Sequence, residues 1–385
     1  MPDGAPPIGS MRVGFLALGG LGGSSKVAWT LAHGLRGRGH DAFVLSHPEA
    51  VWRDAARSAV PLRAVRAPLE PVAAEDAWVN ALSDDLLELL RCQSIDVLSV
   101  HYGCGLAEAA LDARDRAGTG DRPRVCVTLH GTDVSRIALA PAQHDRLRAA
   151  LLRADAVTAV SPWLADRAVD VLGLPKRPRV VPNGVDVARF HPADAPAVDG
   201  VVCHVSNFRP VKRPLDAVEV FARLHAAGQA RALWMVGDGP LRAAAQARAI
   251  ELGIEAAVLF TGPLAPQALA ERLRAASVVL VTSQTESFSL VALEAMACGA
   301  LPVASRCDGL RDLLTHDPVL AEHCLAPVGD LEAFAARAGA LLESPELAAP
   351  LRTRGISLAQ TQFPRGEQLD RYASLFRAMH VRTAP

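Results

Sequence analysis

Short runs of β-branched and other apolar residues alternate along the chain with longer stretches of helical period. Residues 11–18 predict a strand, 19–23 a turn, and 24–38 a helix that ends at Gly39. Four further strands are predicted in this half: DAFVLS (41–46), DVLSVHY (96–102), RVCVTLH (124–130) and AVTAVS (156–161). Apolar strands separated by helical sequence indicate a parallel sheet covered on both faces.

The pattern restarts after a Pro- and Asp-rich stretch at residues 191–200, which predicts a linker. The second series of strands is VVCHVSNF (201–208), RALWMVGDG (231–239), AVLFTGP (257–263), VVLVTS (278–283) and LPVASR (301–306). A chain of 385 residues is long enough for two cores. We therefore predict Rossmann-like domains at 11–188 and 189–365, with both sheets facing a central cleft.

A last helix is predicted over residues 366–380, and we expect it to return to the first domain. Its apolar face is formed by Leu369, Tyr372, Leu375, Phe376 and Met379.

Composition narrows the classes of function. Half of the residues are hydrophobic and the formal net charge is −1, which argues against a nucleic-acid or membrane-surface protein. The seven cysteines form no C-x-x-C pair, so neither a disulfide framework nor a zinc site is expected. Residues 1–10 lack the pattern of a signal peptide, and no apolar run reaches the roughly 18 residues of a membrane span. We expect a cytoplasmic protein whose fold starts near Met11.

A glycine-rich turn precedes the first helix and includes Gly22, Gly23 and Ser24. Glycines allow a close approach of the backbone, and a helix N-terminus attracts anions, so the turn fits a phosphate. The alternative is that these glycines only form the turn between the strand and the helix and bind no ligand. Near the centre of the chain, VPNGVD (181–186) predicts an Asn-Gly turn.

The loop SNFRPVKR (206–213) carries Arg209 and Lys212 at the end of a predicted strand. Two cations at this place suit a diphosphate, whose negative charge grows when the bond to it breaks. The alternative is that the two cations lie on a solvated surface loop and bind no ligand.

The most specific motif is TESFSLVALEAMACG (285–299), which spans a predicted strand-to-helix turn. Glu286 lies in the loop, where a carboxylate accepts hydrogen bonds from sugar hydroxyls. The backbone amides of Phe288, Ser289 and Leu290 lie at the helix start, where amides are free to donate. Glu294 lies among apolar residues, which predicts that it is partly enclosed rather than a surface charge.

Two histidines end strands of the first domain, His130 in TLHGTD (128–133) and His101 in SVHYG (99–103). Both positions fit a polar site, although a lone histidine is more often structural.

Together, HVSNFRPVKR, LVTSQTESFSLVALEAMACG, SVHYG and TLHGTD resemble the retaining GT-B glycosyltransferases, over residues 11–380. Within that family they are most similar to the N-acetylglucosaminyl-L-malate synthases of bacillithiol biosynthesis. The resemblance implies transfer from a UDP-GlcNAc-like donor to a small polar acceptor such as L-malate, without metal or other cofactor. A homodimer is also expected.

The resemblance also implies roles for individual residues. Donor-binding positions would be Gly22, Gly23, Arg209, Lys212, Glu286, Ser287, Phe288, Ser289, Leu290 and Glu294. Acceptor-binding positions would be Ser24, Lys26, Tyr102, Cys104 and Thr132. The catalytic group would comprise His130, Arg209, Lys212 and Glu286.

The chain departs from the malate synthases in three loops. It has GGSSKVA where they have GGSGVVA, HYGCGLA where they have HYAIPHA, and Ser289 where they have glycine. These departures leave open a relative recruited to antibiotic biosynthesis, for example one that glycosylates a thiol such as ergothioneine in lincosamide assembly. A sugar-nucleotide epimerase and a binding-only pseudoenzyme are the alternatives of another class.

Overall fold

The computed structural model describes residues 10–17, 19, 22–47, 60–66, 76–118, 122–193 and 199–381. Residues 18, 20 and 21 near the first turn and 194–198 of the predicted linker lie outside the described residues. The chain forms two compact units, one of Met1–Pro182 with Gln368–Pro385 and one of Asn183–Glu367. The chain thus passes between units at Pro182, earlier than the predicted boundary at 188/189.

The first unit is built on a parallel sheet of seven strands in the order β3-β2-β1-β4-β5-β6-β7. Strands β1 to β7 are Arg12–Ala17, Asp41–Ser46, Leu62–Ala64, Val97–His101, Arg124–Leu129, Ala156–Ala159 and Arg179–Val180. Helices α1 to α6 are Gly23–Arg36, Asp76–Cys92, Leu106–Arg116, Thr132–Ser135, Pro141–Arg153 and Pro162–Leu172. The central strands are buried on both faces, as a doubly wound sheet requires.

The second unit has a parallel sheet of six strands in the order β10-β9-β8-β11-β12-β13. Strands β8 to β13 are Val201–Val205, Ala232–Val236, Val258–Gly262, Val278–Val281, Leu301–Ser305 and Leu325–Ala326. Helices α7 to α14 are Pro214–Ala226, Arg242–Glu251, Pro266–Ala275, Leu290–Ala297, Asp308–Leu314, Pro318–Cys324, Leu331–Glu343 and Pro345–Gln362.

Three short strands were absent from the sequence-based prediction: β3, β7 and β13. Each has two or three residues and lies at the edge of its sheet. Runs this short carry no periodic signal, and only pairing with a neighbouring strand defines them.

The last helix, α15 (Arg365–Val381), packs on the first unit through the apolar face predicted for it. All five side chains of that face are buried. A Cβ atom at Gly34 of α1 would lie 2.4 Å from Leu369 Cδ1, so the two helices approach closely at this glycine. Phe376 packs against Phe15 of β1, with ring centroids 6.3 Å apart. Among the described residues, no helix combines the length and apolar character that crossing a membrane demands.

The prediction of an Asn-Gly turn in VPNGVD is wrong. Residues 181–186 contain no turn, and Val185 forms a parallel bridge with Pro364. A Cβ atom at Gly184 would lie 2.6 Å from Arg365 Cα. The glycine therefore serves the close approach of two backbone segments rather than a chain reversal.

Candidate functional site

The strand order reverses once in each sheet, between β1 and β4 in the first unit and between β8 and β11 in the second. Open α/β sheets bind ligands beyond the carboxyl ends of their strands at such a reversal. The predicted site segments are residues 22–26 after β1, 102–104 after β4, 130–132 after β5, 209–212 after β8 and 286–294 after β11. Each unit thus presents its predicted site residues where its topology favours a ligand.

In the second unit, the side chains of Lys212 and Glu286 form an ion pair. Lys212 Nζ donates to Glu286 Oε1 at 2.6 Å, and Ser283 Oγ donates to the same oxygen at 2.9 Å. Both charged side chains are largely covered, with 22% and 14% of their surface exposed. The structure therefore brings together two residues that the sequence places on separate loops.

Backbone contacts hold these two loops side by side. Gln284 N donates to the carbonyl oxygen of Val211 at 2.8 Å, and Thr282 Oγ1 donates to that of Lys212 at 3.1 Å. Arg209, by contrast, is exposed and forms no ion pair with any described residue. The loop thus offers one cation that is held in place and one that projects into solvent.

The start of the SNFRPVKR loop is anchored to the core by a buried histidine. His204 Nδ1 contacts the carbonyl oxygen of Leu280 at 3.0 Å, which assigns the donor proton to this nitrogen. His204 Nε2 then accepts from Ser206 Oγ at 2.9 Å, and Ser206 Oγ accepts from Phe208 N at 3.2 Å. Burial lowers the pKa of His204 to about 4, so its ring is neutral near pH 7.

The segment from Ser287 to Leu290 makes a tight turn into α10. Ser289 has a left-handed backbone, φ 78°, and caps the helix through a hydrogen bond from Ala292 N to its Oγ at 3.3 Å. A Cβ atom at Gly309 would lie 2.1 Å from the carbonyl oxygen of Ser287. Phe288 is buried behind this turn. The turn is therefore held rigidly from both sides.

Glu294 is 4% exposed, in agreement with the prediction that it is enclosed. Its carboxylate interacts electrostatically with the guanidinium of Arg365, whose Nη1 also donates to Asp186 Oδ2 at 3.0 Å. Burial lowers the pKa of Arg365, while Asp186 and Glu294 act to raise it. The second glutamate of the motif thus lies beside a second group of charges, where the VPNGVD segment meets the start of α15.

In the first unit, a buried carboxylate joins the loops after β4 and β5. Asp133 accepts hydrogen bonds from the backbone amides of Gly131 at 2.7 Å, Gly103 at 3.1 Å and His130 at 3.2 Å. Burial raises the pKa of Asp133, and these bonds oppose the increase. The structure therefore brings the Tyr102 loop and the His130 loop together around one residue.

The Tyr102 loop is conformationally unusual. Tyr102 has φ 120°, is 8% exposed and donates its backbone N–H to Thr128 at 3.1 Å. Such a backbone is rare for a bulky residue, and it persists only where surrounding contacts impose it. Gly103 follows, and a Cβ atom there would lie 2.7 Å from Leu147 Cδ1.

Cys104 and Thr132 occupy the same pair of loops. Cys104 Sγ donates to the carbonyl oxygen of Asp133 at 3.6 Å, and burial raises the pKa of its thiol far above the usual range. The sulfur is therefore a neutral contact and not a thiolate nucleophile. Thr132 begins α4 and is half-buried. Within the described ranges, no three His, Cys, Asp or Glu side chains are grouped so that they could hold a metal ion.

His130 is half-buried and its Nε2 lies 3.0 Å from Nδ1 of His101. Burial lowers the pKa of His130 to about 3 and lowers that of His101 well below its ordinary value. Both rings are therefore neutral near pH 7.

The first turn of α1 carries Gly22, Gly23, Ser24 and Lys26. No side chain caps this helix and no acidic residue lies in its first turn. A lysine in the first turn is unfavourable for an isolated helix, because it adds positive charge to the positive end of the dipole. That arrangement suits a site which attracts an anion.

Several residues that shape the site were not identified from the sequence. They are Ser283, which binds Glu286; Gly309, which packs on Ser287; and Arg365 with Asp186, which interact with or lie near Glu294. The TLHGTD motif contains Asp133 close to His130, but nothing in the sequence indicates that its carboxylate accepts from four backbone amides, those of Gly103, His130, Gly131 and Val134. The glycine of the VPNGVD segment was a signal of close backbone contact that we interpreted as a turn.

Comparison with known families agrees with this architecture. A model of the glycosyl transferases group 1 matches residues 191–357, and a model of glycosyltransferase family 4 matches residues 21–189. An N-acetyl-alpha-D-glucosaminyl L-malate synthase from Bacillus anthracis is 28% identical over 95% of this chain and 96% of its own. A D-inositol 3-phosphate glycosyltransferase from Acidothermus cellulolyticus is 32% identical over 76% of this chain and 72% of its own.

Solved structures share the fold at lower sequence identity. Anabaena HepE, in complex with UDP and glucose, superposes with a TM-score of 0.80 at 19% identity, covering 96% of this chain and 100% of that one. Sucrose-phosphate synthase from Thermosynechococcus elongatus superposes with a TM-score of 0.78 at 20% identity, covering 97% and 100%. With two doubly wound domains and two glycosyltransferase family matches that together span most of its length, the chain belongs to the GT-B glycosyltransferases.

Proposed function

We propose that this glycosyltransferase moves a sugar, with retention of configuration and without a metal, from a UDP-GlcNAc-like donor to a small anionic acceptor such as L-malate. The observation that carries this proposal is the similarity to a malate synthase along nearly the full length of both chains. In this proposal the domain of residues 11–188 binds the acceptor and that of 189–365 binds the donor.

The donor roles follow from the chemistry of the second unit. Lys212 and Arg209 bind the diphosphate, since ammonium and guanidinium groups stabilise the charge that develops on a leaving phosphate. Glu286 binds hydroxyls of the sugar and Glu294 binds the ribose. The backbone of Ser287, Phe288, Ser289 and Leu290 contributes amides at the start of α10, and Gly22 and Gly23 approach the diphosphate from the first unit's turn.

The acceptor roles fall to the loops of the first unit. Each of the two sequence relatives is named after an anion: L-malate, a dicarboxylate, in one name and D-inositol 3-phosphate in the other. Lys26, in a helix turn that has no side-chain cap and contains no acidic residue, has the charge to bind such an acceptor. The acceptor site is completed by Ser24, Tyr102, Cys104 and Thr132. The Cys104 thiol lines it as an uncharged group.

The proposed reaction needs no nucleophile from the protein. The bond from the anomeric carbon to the phosphate oxygen breaks, and the acceptor oxygen bonds to the same carbon from the same face. The acceptor's proton passes to the leaving phosphate. Arg209, Lys212 and the backbone amides therefore stabilise the departing diphosphate, while His130 forms a hydrogen bond with the donor sugar.

A transfer assay tests this proposal directly. The purified chain is incubated with UDP-GlcNAc and L-malate, with and without EDTA, and products are identified by mass spectrometry and by NMR of the anomeric centre. We expect α-linked GlcNAc-malate in both samples. A β-linked product would refute retention, and loss of product in EDTA that added metal restores would refute metal independence.

A second candidate is a recruited enzyme with a thiol acceptor, for example ergothioneine, and another nucleotide sugar. The observation that favours it is the set of departures from the malate synthases at Ser25 and Lys26, Cys104 and Ser289. A panel of nucleotide sugars against malate and ergothioneine distinguishes the two candidates, because efficient GlcNAc-malate formation excludes the recruited function. Epimerised free donor would indicate an epimerase, and donor binding without turnover would indicate a binding-only protein.

A further inference from the structure

A chain of three polar side chains runs along one face of the first unit's sheet towards its carboxyl edge. Ser99 Oγ lies 3.3 Å from His101 Nε2, and His101 Nδ1 lies 3.0 Å from His130 Nε2. Ser99 and His101 are two residues apart in β4, so they share a face. His101 pairs in register with Thr128 of β5, which places His130, two residues further on, next to it on the same face.

Water has no access to the inner part of this chain. Ser99 and His101 are both 0% exposed. The ring of Phe15 lies 5.7 Å from that of His101, and the ring of Tyr372 from α15 lies 6.4 Å from it. Burial also lowers the pKa of both histidines, so each ring carries a single proton near neutral pH.

The hydrogen-bond directions follow from counting protons. The Ser99 hydroxyl needs an acceptor, and His101 Nε2 is its only hydrogen-bond partner among the described residues. Ser99 therefore donates to Nε2, and the single proton of His101 resides on Nδ1. His101 Nδ1 then donates to His130 Nε2, which leaves the proton of His130 on its own Nδ1. With the opposite direction of these bonds, the proton of the buried Ser99 hydroxyl would have no acceptor.

The outer end of this series of three side chains, at His130, is open. His130 Nδ1 has no hydrogen-bond partner within the described ranges, and it is not among the buried atoms that lack one. It is therefore accessible as a donor at the carboxyl edge of the sheet.

We propose that Ser99 and His101 are positioning residues that hold His130 in the Nδ1–H tautomer, so that His130 donates a hydrogen bond to an oxygen of the bound sugar nucleotide. This role rests on the proposed function, whereas the tautomer itself is a property of the protein alone. In the other tautomer His130 would present a lone pair, which repels a phosphate oxygen and can pair with a sugar hydroxyl only as an acceptor.

Long-range proton–nitrogen NMR on the full chain with ¹⁵N-histidine measures the tautomer, and a His130→Gln variant assigns the signals. We expect His130 to be protonated on Nδ1 and unprotonated on Nε2 in the wild type. In Ser99→Ala, His101 loses its donor, and we expect both rings to shift towards the Nε2–H form. Ser305→Ala is the matched control, since Ser305 is equally buried at the end of a strand and its hydroxyl has no partner.

An Nε2–H His130 in the wild type, or no change in Ser99→Ala, would overturn the tautomer assignment. Kinetics then test the functional part: we expect Ser99→Ala to lower kcat/KM for the donor by on the order of tenfold, and Ser305→Ala to leave it unchanged. A shifted tautomer with unchanged kinetics would refute the positioning role. If no nucleotide sugar supports transfer, the proposed function fails while the NMR result still decides the tautomer.

Discussion

Lys212 and Glu286 are joined by a 2.6 Å ion pair although 74 residues separate them in sequence. The resemblance assigns these residues to different parts of the donor, the diphosphate and the sugar. Because each charge holds the other in place, we expect the two proposed roles to be coupled. Ser283 Oγ also donates to this carboxylate, so Glu286 has a second partner besides the lysine. Under the proposed function, we expect this bond to keep the carboxylate oriented when Lys212 binds a phosphate.

Replacing Lys212 with methionine removes the charge and keeps most of the aliphatic side chain. We expect kcat/KM for the donor to fall by roughly ten- to hundredfold, since a charge-assisted contact contributes about 1.5–3 kcal/mol. Steady-state kinetics with varied donor measure the effect. Lys176→Met is the control, because Lys176 is exposed and precedes β7, on the opposite side of the parallel sheet from the carboxyl ends of the strands. Equal kcat/KM values for the two variants would show that Lys212 does not bind the donor.

The coupling of Lys212 and Glu286 is testable with a double-mutant cycle. We expect Lys212→Met and Glu286→Gln to lower kcat/KM by less together than the product of their separate effects, since each single change already breaks the pair. Strictly multiplicative effects would show that the two residues act on the donor independently.

Ser289 occupies a left-handed backbone position where glycine would be unstrained. Ser289→Ala loses the cap and keeps the strain, so we expect a loss of stability of about 1 kcal/mol. Ser289→Gly loses the cap at a cost of a few tenths of a kcal/mol and relieves about 1 kcal/mol of backbone strain, so we expect a net gain in stability. Urea unfolding of the second domain, monitored by hydrogen exchange in α10, measures both.

Ser344 is the matched control for Ser289. It caps α14 through Leu347 N at an ordinary φ of −117°. Glycine there should cost a few tenths of a kcal/mol, as it does at a typical cap. An equal cost of glycine at both positions would contradict strain at Ser289.

Glu294 is buried and interacts electrostatically with Arg365, and the proposed function gives it the ribose as a second partner. We expect Glu294→Gln to weaken UDP binding by roughly tenfold or more, because an amide is a poorer acceptor for ribose hydroxyls than a carboxylate. Isothermal titration calorimetry measures the affinity, and the melting temperature reports any loss of the Arg365 contact. Glu343→Gln, at an exposed position, should change neither. Unchanged UDP affinity in Glu294→Gln would refute the ribose contact.

Lys26 distinguishes acceptor binding from donor binding. We expect Lys26→Ala to raise KM for an anionic acceptor roughly tenfold and to leave KM for the donor within twofold, because one charge contact with the acceptor is lost. Initial rates with each substrate varied in turn provide the measurement. A change confined to the donor would assign Lys26 to the diphosphate.

The buried His204 makes stability depend on pH. Its pKa is about 4 in the folded chain and 6.5 when unfolded, so the unfolded chain gains a proton first as the pH falls. The stability from neutral His204 is therefore complete above pH 6.5 and is lost progressively down to pH 4, by up to about 3 kcal/mol. Urea unfolding at several pH values measures the slope.

His204→Gln should flatten this pH dependence, since an amide does not titrate in the range. His144→Gln is the control: His144 lies at the surface and Asp145 raises its pKa, so it contributes in the opposite direction. An unchanged slope in His204→Gln would show that other groups cause the loss of stability in acid.

Much of the proposed donor site can be predicted from local sequence, because its polar loops directly follow strands whose apolar residues mark where each strand ends. Lys212, Glu286 and Glu294 were recognised in this way, and Glu294 was also expected to be enclosed. Sequence could not show the pairing of Lys212 with Glu286, nor Asp133 at the centre of two loops. Those contacts join residues from different strands, and only the order of strands in the sheet makes them neighbours.

By itself, the sequence determined two alternating α/β series, the ends of their main strands and the apolar face of the last helix. These features depend on periodicity within one element, and hydrophobic burial enforces that periodicity locally. Only the tertiary structure decided that Gly184 lies against Arg365 rather than in a turn, that Ser289 is left-handed, and that Ser99, His101 and His130 lie in series within hydrogen-bonding distance. Each of these depends on close packing between segments far apart in the chain, where a few ångströms select one backbone conformation or one proton position.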